Sequence, residues 1–189
     1  MNKKKIFFLG YDQNKTKIIK FLKYKNLSVT QLRQKRLEKI NISPNDLIIS
    51  FGYRRIIPKK ILSKRRTPIV NLHLSYLPFN RGAHPIYWSF REKTPLGVTI
   101  HEIDEGIDTG KIIFQKKIKY KINKDTNFKD VYYFMFDQLE NLFIKKFEKI
   151  YQQKYTPKLN NVNKGTFHKK NQLKKIKWKT PILHHLKNI

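Results

Sequence analysis

Asn71 and His73 stand two residues apart at the end of an apolar run, residues 67–72 (TPIVNL), and Asp108 lies in an acidic turn further along. Residues two apart on a strand project to the same face. In open α/β sheets ligands bind beyond the carboxyl ends of the strands. An amide, an imidazole and a carboxylate gathered there suit an amine attacking an activated formyl group. The Asn71 amide and a protonated His73 would stabilise the oxyanion that develops. A carboxylate would raise the imidazole pKa, orient the ring and help remove the amine proton through water, and Asp108 is the candidate. Singly, each residue has a plainer role: a turn-forming asparagine, a structural histidine, a turn aspartate. Only thirteen acids occur in the chain, yet Glu102, Asp104, Glu105 and Asp108 fall within seven residues. Such clustering against a basic background calls for a local cause.

The elements that must position these groups follow from hydrophobic periodicity. Residues 5–10 (KIFFLG) read as a buried strand and residues 15–25 as a helix carrying Ile18, Ile19 and Leu22 on one side. Further strands are expected at residues 46–51 (DLIISF), ending at Gly52, and at 67–72, running into His73. Residues 83–92 have helical character. Residues 97–103 (GVTIHEI) and 111–118 read as an antiparallel pair joined by the loop 104–110. Val131, Phe134, Met135, Leu139, Leu142, Phe143, Phe147 and Ile150 form the stripe of a core-facing helix over residues 127–152. Strands interleaved with helices predict an open α/β sheet. The first strand lacks the Gly-x-Gly-x-x-Gly turn of dinucleotide binders.

At 189 residues the chain accommodates one well-buried domain. Its 39% hydrophobic and 13% aromatic content supports a core despite the charge. No run reaches the roughly 18 apolar residues of a membrane span, and the apolar run after Met1 is too brief for a signal peptide. There is no cysteine, hence no disulfide, thiol nucleophile or cysteine metal site. His101-Glu102 lacks the second histidine of His-Glu-x-x-His, so no metal is expected. These features predict a cytoplasmic enzyme. A net charge of +29 suits a polyanionic partner, but Ala83 is the sole alanine and lysine far outnumbers arginine. Genomic composition bias explains that pattern as well as nucleic-acid binding does. After Pro157 the apolar residues scatter among nine lysines with no acid. Residues 158–189 are therefore expected to be a loosely packed basic tail, with one short ordered piece near Gly165, Thr166, Phe167 and His168.

The segment 71–82 (NLHLSYLPFNRG) resembles the Asn-x-His-x-Ser-x-Leu-Pro segment of the folate-dependent formyltransferases. That family comprises methionyl-tRNA formyltransferase, glycinamide ribonucleotide transformylase and the sugar N-formyltransferases. Residues 97–101 (GVTIH) with 104–110 (DEGIDTG) are similar to its second motif. The resemblance covers about residues 5–118 and implies a Rossmann-like, mostly parallel sheet flanked by helices, with residues 1–157 as catalytic domain. It implies Asn71, His73 and Asp108 as catalytic residues and 10-formyltetrahydrofolate as formyl donor. It further implies a pterin site built by Gly52, Tyr53, Arg54, Arg55, Ile56 and Ile57 on one side and Asp104, Glu105 and Gly106 on the other. Leu74 replaces the proline that often follows the histidine, and the Arg54-Arg55 pair makes the pterin loop more basic than usual.

Among acceptors, a nucleotide-linked amino sugar is favoured, because the two motifs and the Gly-Thr-Phe-His tail element look closest to the small sugar N-formyltransferases. A tail of about thirty residues cannot supply the further barrel domain that helps methionyl-tRNA formyltransferases hold tRNA. Gly10-Tyr11-Asp12-Gln13-Asn14 has one glycine where glycinamide ribonucleotide enzymes build a phosphate loop. The expected partners are thus a small-molecule acceptor, tRNA in second place, no membrane and an optional homodimer. A non-catalytic basic RNA-binding protein is the reading from another class. It is disfavoured because the aromatics follow core periodicity instead of interleaving with basic residues.

Overall fold

The computed structural model describes residues 4–173 and 178–187. The opening Met1, Asn2 and Lys3, and residues 174–177 and 188–189 of the tail, lie outside them. In chain order the elements are β1 (Ile6–Gly10), α1 (Lys17–Tyr24), β2 (Val29–Arg33), β3 (Leu47–Phe51), α2 (Lys59–Leu62), β4 (Ile69–His73), β5 (Arg81–Gly82), α3 (Pro85–Arg91), β6 (Gly97–Glu102), β7 (Ile112–Lys117), α4 (Phe128–Tyr151), β8 (Phe167–His168) and α5 (Ile182–Lys187). A six-stranded sheet has the order β2-β1-β3-β4-β6-β7. The first four strands run parallel; β6 is antiparallel to β4, and β7 to β6. This is the open, mostly parallel α/β sheet that the sequence predicts.

The alternation of side chains across each strand divides the core in two. Ile6, Phe8, Leu47, Ile49, Val70, Leu72, Val98 and Ile100 face α1, α3 and α4. Phe7, Leu9, Ile48 and Ile69 face a smaller cluster with Leu37 and Ile57, against which α2 packs Ile61 and Leu62. Strands β1 and β3 are buried throughout because both faces are covered, which is why they read as unbroken apolar runs. In β4, Asn71 and His73 share the side of Ile69, so they fall on the thinly covered face, at the strand's carboxyl end. Helix α4 spans the other face and buries Phe128, Val131, Met135, Phe136, Leu139, Phe143, Phe147 and Ile150. Phe134, expected in that stripe, is 38% exposed. It packs edge-on against Tyr120 instead.

Gly10 explains how β1 ends without a glycine-rich loop. Its φ is +96°, and a Cβ there would sit 1.9 Å from the Phe51 carbonyl oxygen, so only glycine turns the chain away at that point. The Tyr11 amide then donates to the same Phe51 carbonyl.

The short ordered piece expected near residues 165–168 is present as strand β8, but the tail is anchored more widely than expected. Strand β8 pairs in parallel with β5, His168 stacks on Trp88 at 4.0 Å with a 7° tilt between rings, and Ile182 of α5 is fully buried. Its anchors are backbone pairings and single side chains set far apart in sequence, which leave no periodic pattern to read. Residues 29–33 were not expected to form a strand either: as an edge strand β2 buries only Leu32. Because Phe143 is wholly buried between α4 and the sheet, Phe143→Ala should destabilise the protein by about 3–5 kcal/mol, measured by urea unfolding.

Candidate active site

The loop after β6 carries Asp108 back towards the carboxyl end of β4. Its carboxylate lies 3.6 Å (Oδ2) from His73 Nδ1 and 3.4 Å (Oδ1) from His101 Nε2. It also accepts hydrogen bonds from Asn71 Nδ2 at 3.3 Å and from the Gly82 amide at 2.8 Å. Asp108 has φ +51°, a left-handed conformation that costs a non-glycine residue energy unless its surroundings enforce it. The bond from Gly82 and one from Asn160 Nδ2 to the Asp108 carbonyl, 3.0 Å, hold it there. Burial alone would push this carboxyl pKa up. His73, the His101 hydrogen bond and charge, and the Gly82 N–H together outweigh burial and hold it well below the usual carboxylate range.

His73 is buried. Its Nδ1 faces Asp108 and its Nε2 the Asn80 carbonyl, at 3.3 Å. Both neighbours are acceptors, which suits a protonated ring, whereas burial works against the charge. Burial lowers its pKa, and His101 adds to that; Asp108 and the Asn80 carbonyl oppose but do not win. Burial thus biases His73 towards the neutral form, against the protonated form that its two acceptor neighbours favour. A depressed histidine pKa favours the folded state above the unfolded value and loses that contribution as pH falls through the folded one. Asp108 has the same sign at lower pH.

His101 was not singled out from sequence. Cross-strand register sets it directly opposite Asn71. Its Nδ1 faces its neighbour's carbonyl, Glu102 O, at 2.7 Å, and a carbonyl only accepts, so Nδ1 carries the proton. Its Nε2 lies 3.0 Å from Asn71 Nδ2 and 3.4 Å from Asp108 Oδ1. The Asn71 amide is thus held between His101 and Asp108. A histidine within the strand segment GVTIHEI was the available signal; the pairing register that gives it meaning was not.

A cavity of about 890 Å³ opens over this cluster. Asn71, His73 and Asp108 line it, as do Gly52, Tyr53, Arg54, Arg55, Ile56, Ile57, Asp104, Glu105 and Gly106. Gln34 pins the first loop: its amide donates to the Gly52 carbonyl, its side-chain oxygen accepts from the Arg54 amide, and its backbone carbonyl accepts from Arg55 Nε. In the second loop Asp104 accepts from the Gly106 amide and the Thr109 hydroxyl. The remaining wall holds Tyr11, Lys129, Tyr132, Tyr133 and Trp178, none of which the sequence marked. Among the described residues no group of three or more His, Cys, Asp or Glu side chains is arranged to hold a metal ion. No helix among them is long and apolar enough to cross a membrane.

The chain belongs to the formyl transferase family, whose model matches residues 1–144. A formyltransferase, PseJ, from Anoxybacillus kamchatkensis, solved with UDP-4,6-dideoxy-4-formamido-L-AltNAc and tetrahydrofolate, superposes with a TM-score of 0.80 at 34% identity, over 95% of this chain and 96% of that one. A 4-N formyltransferase from Francisella tularensis gives a TM-score of 0.70 at 26% identity, over 89% and 77%. Methionyl-tRNA formyltransferase from Prochlorococcus marinus (strain MIT 9515) is 39% identical over 110 residues, 58% of this chain and 33% of that protein. The chain spans about a third of the length of such curated relatives.

The tail builds part of the site from outside. The Thr166 hydroxyl accepts from the Asn80 amide at 2.8 Å and donates to Asn80 Oδ1 at 3.0 Å. Asn80, fully buried, also donates to Ser89 and Thr94. Arg81 and Ala83 amides donate to the Thr166 and His168 carbonyls. These bonds fix the Asn80 carbonyl against His73 and the Gly82 amide against Asp108. Thr166→Val should therefore slow turnover roughly fivefold to thirtyfold, the effect of losing one or two buried hydrogen bonds, with the fold retained by circular dichroism. Deleting everything after Pro157 should abolish turnover, although it removes none of Asn71, His73 and Asp108.

Proposed function

We propose that this protein transfers the formyl group of 10-formyltetrahydrofolate to the primary amine of a nucleotide-linked amino sugar, in the cytoplasm. Residues 1–157 act as the catalytic unit and residues 158–189 as the basic tail that braces it. The observation that carries this reading is the extent of the likeness to the sugar-nucleotide formyltransferase, which runs through the tail, covering 95% of this chain. Methionyl-tRNA formyltransferase is the second reading. It is favoured by 39% identity, but over 58% of the chain.

In the proposed mechanism Gly52–Ile57 and Asp104–Gly106 receive the pterin of the donor, and Asn71, His73 and Asp108 carry the chemistry. The amine nitrogen attacks the formyl carbon, the carbonyl oxygen becomes an oxyanion, and the amine must lose a proton. Asp108, held far below the usual range, is too weak a base to keep that proton. Neutral His73 takes it, and the imidazolium appears as the oxyanion needs a cation. Asp108 stabilises the imidazolium through Nδ1. The proton then passes to the departing folate nitrogen as the C–N bond breaks, so formylated amine and tetrahydrofolate leave in balance. The Asn71 amide turns one N–H from Asp108 or His101 to the oxyanion.

Formyl transfer assayed with a panel of amino-sugar nucleotides and with initiator methionyl-tRNA tests the acceptor. Turnover of a sugar nucleotide is expected. Formylation of the tRNA, with every sugar nucleotide inert, would overturn the assignment. His73→Ala and Asp108→Asn should each lower kcat at least about a hundredfold, with strongly non-additive effects in the double variant. Because His73 acts neutral and its pKa lies below its ordinary 6.5, kcat/KM should stay level from pH 8 down to about 6.5 and fall only below it. An acid limb centred above pH 7 would contradict this role.

A further inference from the structure

The loop between β4 and β5 folds back over the face of the sheet that bears the site and ends at Asn80, whose carbonyl meets His73 Nε2 at 3.3 Å. The tail holds the far end of that loop, at Asn80. Its near end, Ser75 to Leu77, is held from two strands away. His73 pairs with Thr99 of β6, and Thr99 with Gln115 of β7. Directly opposed residues on neighbouring strands project to the same face, so His73, Thr99 and Gln115 form one row beneath the loop.

The Thr99 hydroxyl donates to the Ser75 carbonyl at 2.7 Å and accepts from the Leu77 amide at 3.2 Å and from Gln115 Nε2 at 3.0 Å. One proton and two lone pairs are all a hydroxyl has, so this fully buried group is saturated. Gln115 Nε2 also donates to the Leu77 carbonyl at 2.7 Å. A carbonyl only accepts, which fixes the orientation of the Gln115 amide. Ser75 and Leu77 are each 1% exposed, so their main-chain groups depend on these partners. The Phe79 amide then closes a turn onto the Tyr76 carbonyl at 3.1 Å, which carries the placement of Leu77 forward to Asn80. Gln115 itself lies outside the cavity lining and touches none of Asn71, His73 and Asp108.

Resting on the reading above, in which His73 moves the proton, we propose that Gln115 is a positioning residue for formyl transfer: through Leu77 and Thr99 it sets where the Asn80 carbonyl stands against His73 Nε2. That carbonyl can receive a proton from Nε2 and cannot lend one, so its position bears on the charged ring more than on the neutral one. Burial lowers the His73 pKa, and the Asn80 carbonyl is among the groups that oppose it. A slack loop therefore makes His73 a weaker base. Asp108 and His101, the titratable groups that face His73, keep their own contacts when Gln115 is changed.

NMR titration of the His73 ring and steady-state kinetics, both on the full chain, test this with Gln115→Met, which keeps the length of the side chain and removes its donors. The His73 titration should move to lower pH by about half a unit to one unit, the equivalent of one hydrogen bond. The kcat should fall roughly threefold to tenfold, with KM for donor and acceptor within about twofold of wild type. Thr99→Val should act in the same direction, Thr99→Ser, which keeps the hydroxyl, should stay near wild type, and the Gln115→Met, Thr99→Val pair should be less than additive. Phe114→Leu loosens the same strand against Tyr155 without reaching Leu77, and should leave both the titration and kcat near wild type. An unmoved His73 titration in Gln115→Met would overturn the proposal, and so would an equal displacement in Phe114→Leu. If Gln115→Met does not fold, Thr99→Val decides by the same titration. The titration needs no substrate, so a wild type that formylates no amine would remove the functional reading while the effect of Gln115 on His73 is still decided.

Discussion

The arrangement depends on one largely buried negative charge. Asp108, with its side chain 13% exposed, would cost several kcal/mol to desolvate unpaired, so the fold must bring donors to it. Four groups come to it from three strands: Asn71 and His73 from β4, His101 from β6, and the Gly82 amide from β5. Each has its own requirement. The antiparallel register of β4 and β6 sets His101 opposite Asn71, the left-handed backbone of Asp108 turns its carboxylate inwards, and the tail strand holds Gly82.

That last dependence changes the meaning of the tail. Asn80, the buried hub of the loop after β4, offers its carbonyl to His73 and its side chain to Ser89, Thr94 and Thr166. Loop residues reach such geometry only when their polar groups are satisfied from several directions. The segment around Thr166 provides two of those directions. It therefore supports the cluster without touching any reacting group, and the same is true of Asn160 behind Asp108.

The parts that sequence made legible share a physical cause. Strands β1, β3 and β4 are buried on both faces or nearly so, and appear as apolar runs; the acidic turn stood out because acids are scarce. Asn71, His73 and Asp108 could be grouped from strand parity and the end of an apolar run, and the loops 52–57 and 104–106 from resemblance. His101 was hidden because its role is a matter of cross-strand register. Val29–Arg33 was hidden because an edge strand buries one leucine, and the tail because its contacts are backbone bonds between residues far apart. The balance acting on the protonation of His73 was hidden for a different reason. A neighbouring carboxylate can be read from sequence, but the burial that overrides it is a property of the finished fold.

The same burial logic bears on the net charge of +29. Several of the few acids serve the backbone: Glu140, 5% exposed, accepts from the Thr16 hydroxyl and the Lys17 amide. Asp46, 7% exposed, accepts from the Lys5 and Ser43 amides. Asp108 does so for Gly82. These positions must remain acidic, since a buried N–H left without an acceptor costs as much as a lost hydrogen bond or more. Surface acids are under no such constraint and can be replaced by lysine at little cost. Eight of the thirteen acids are nonetheless exposed, so the basic exterior arises from the abundance of lysine and not from a loss of surface acids alone. On this account the charge belongs to the solvent-facing skin, and the chemistry is set by where the remaining carboxylates are held.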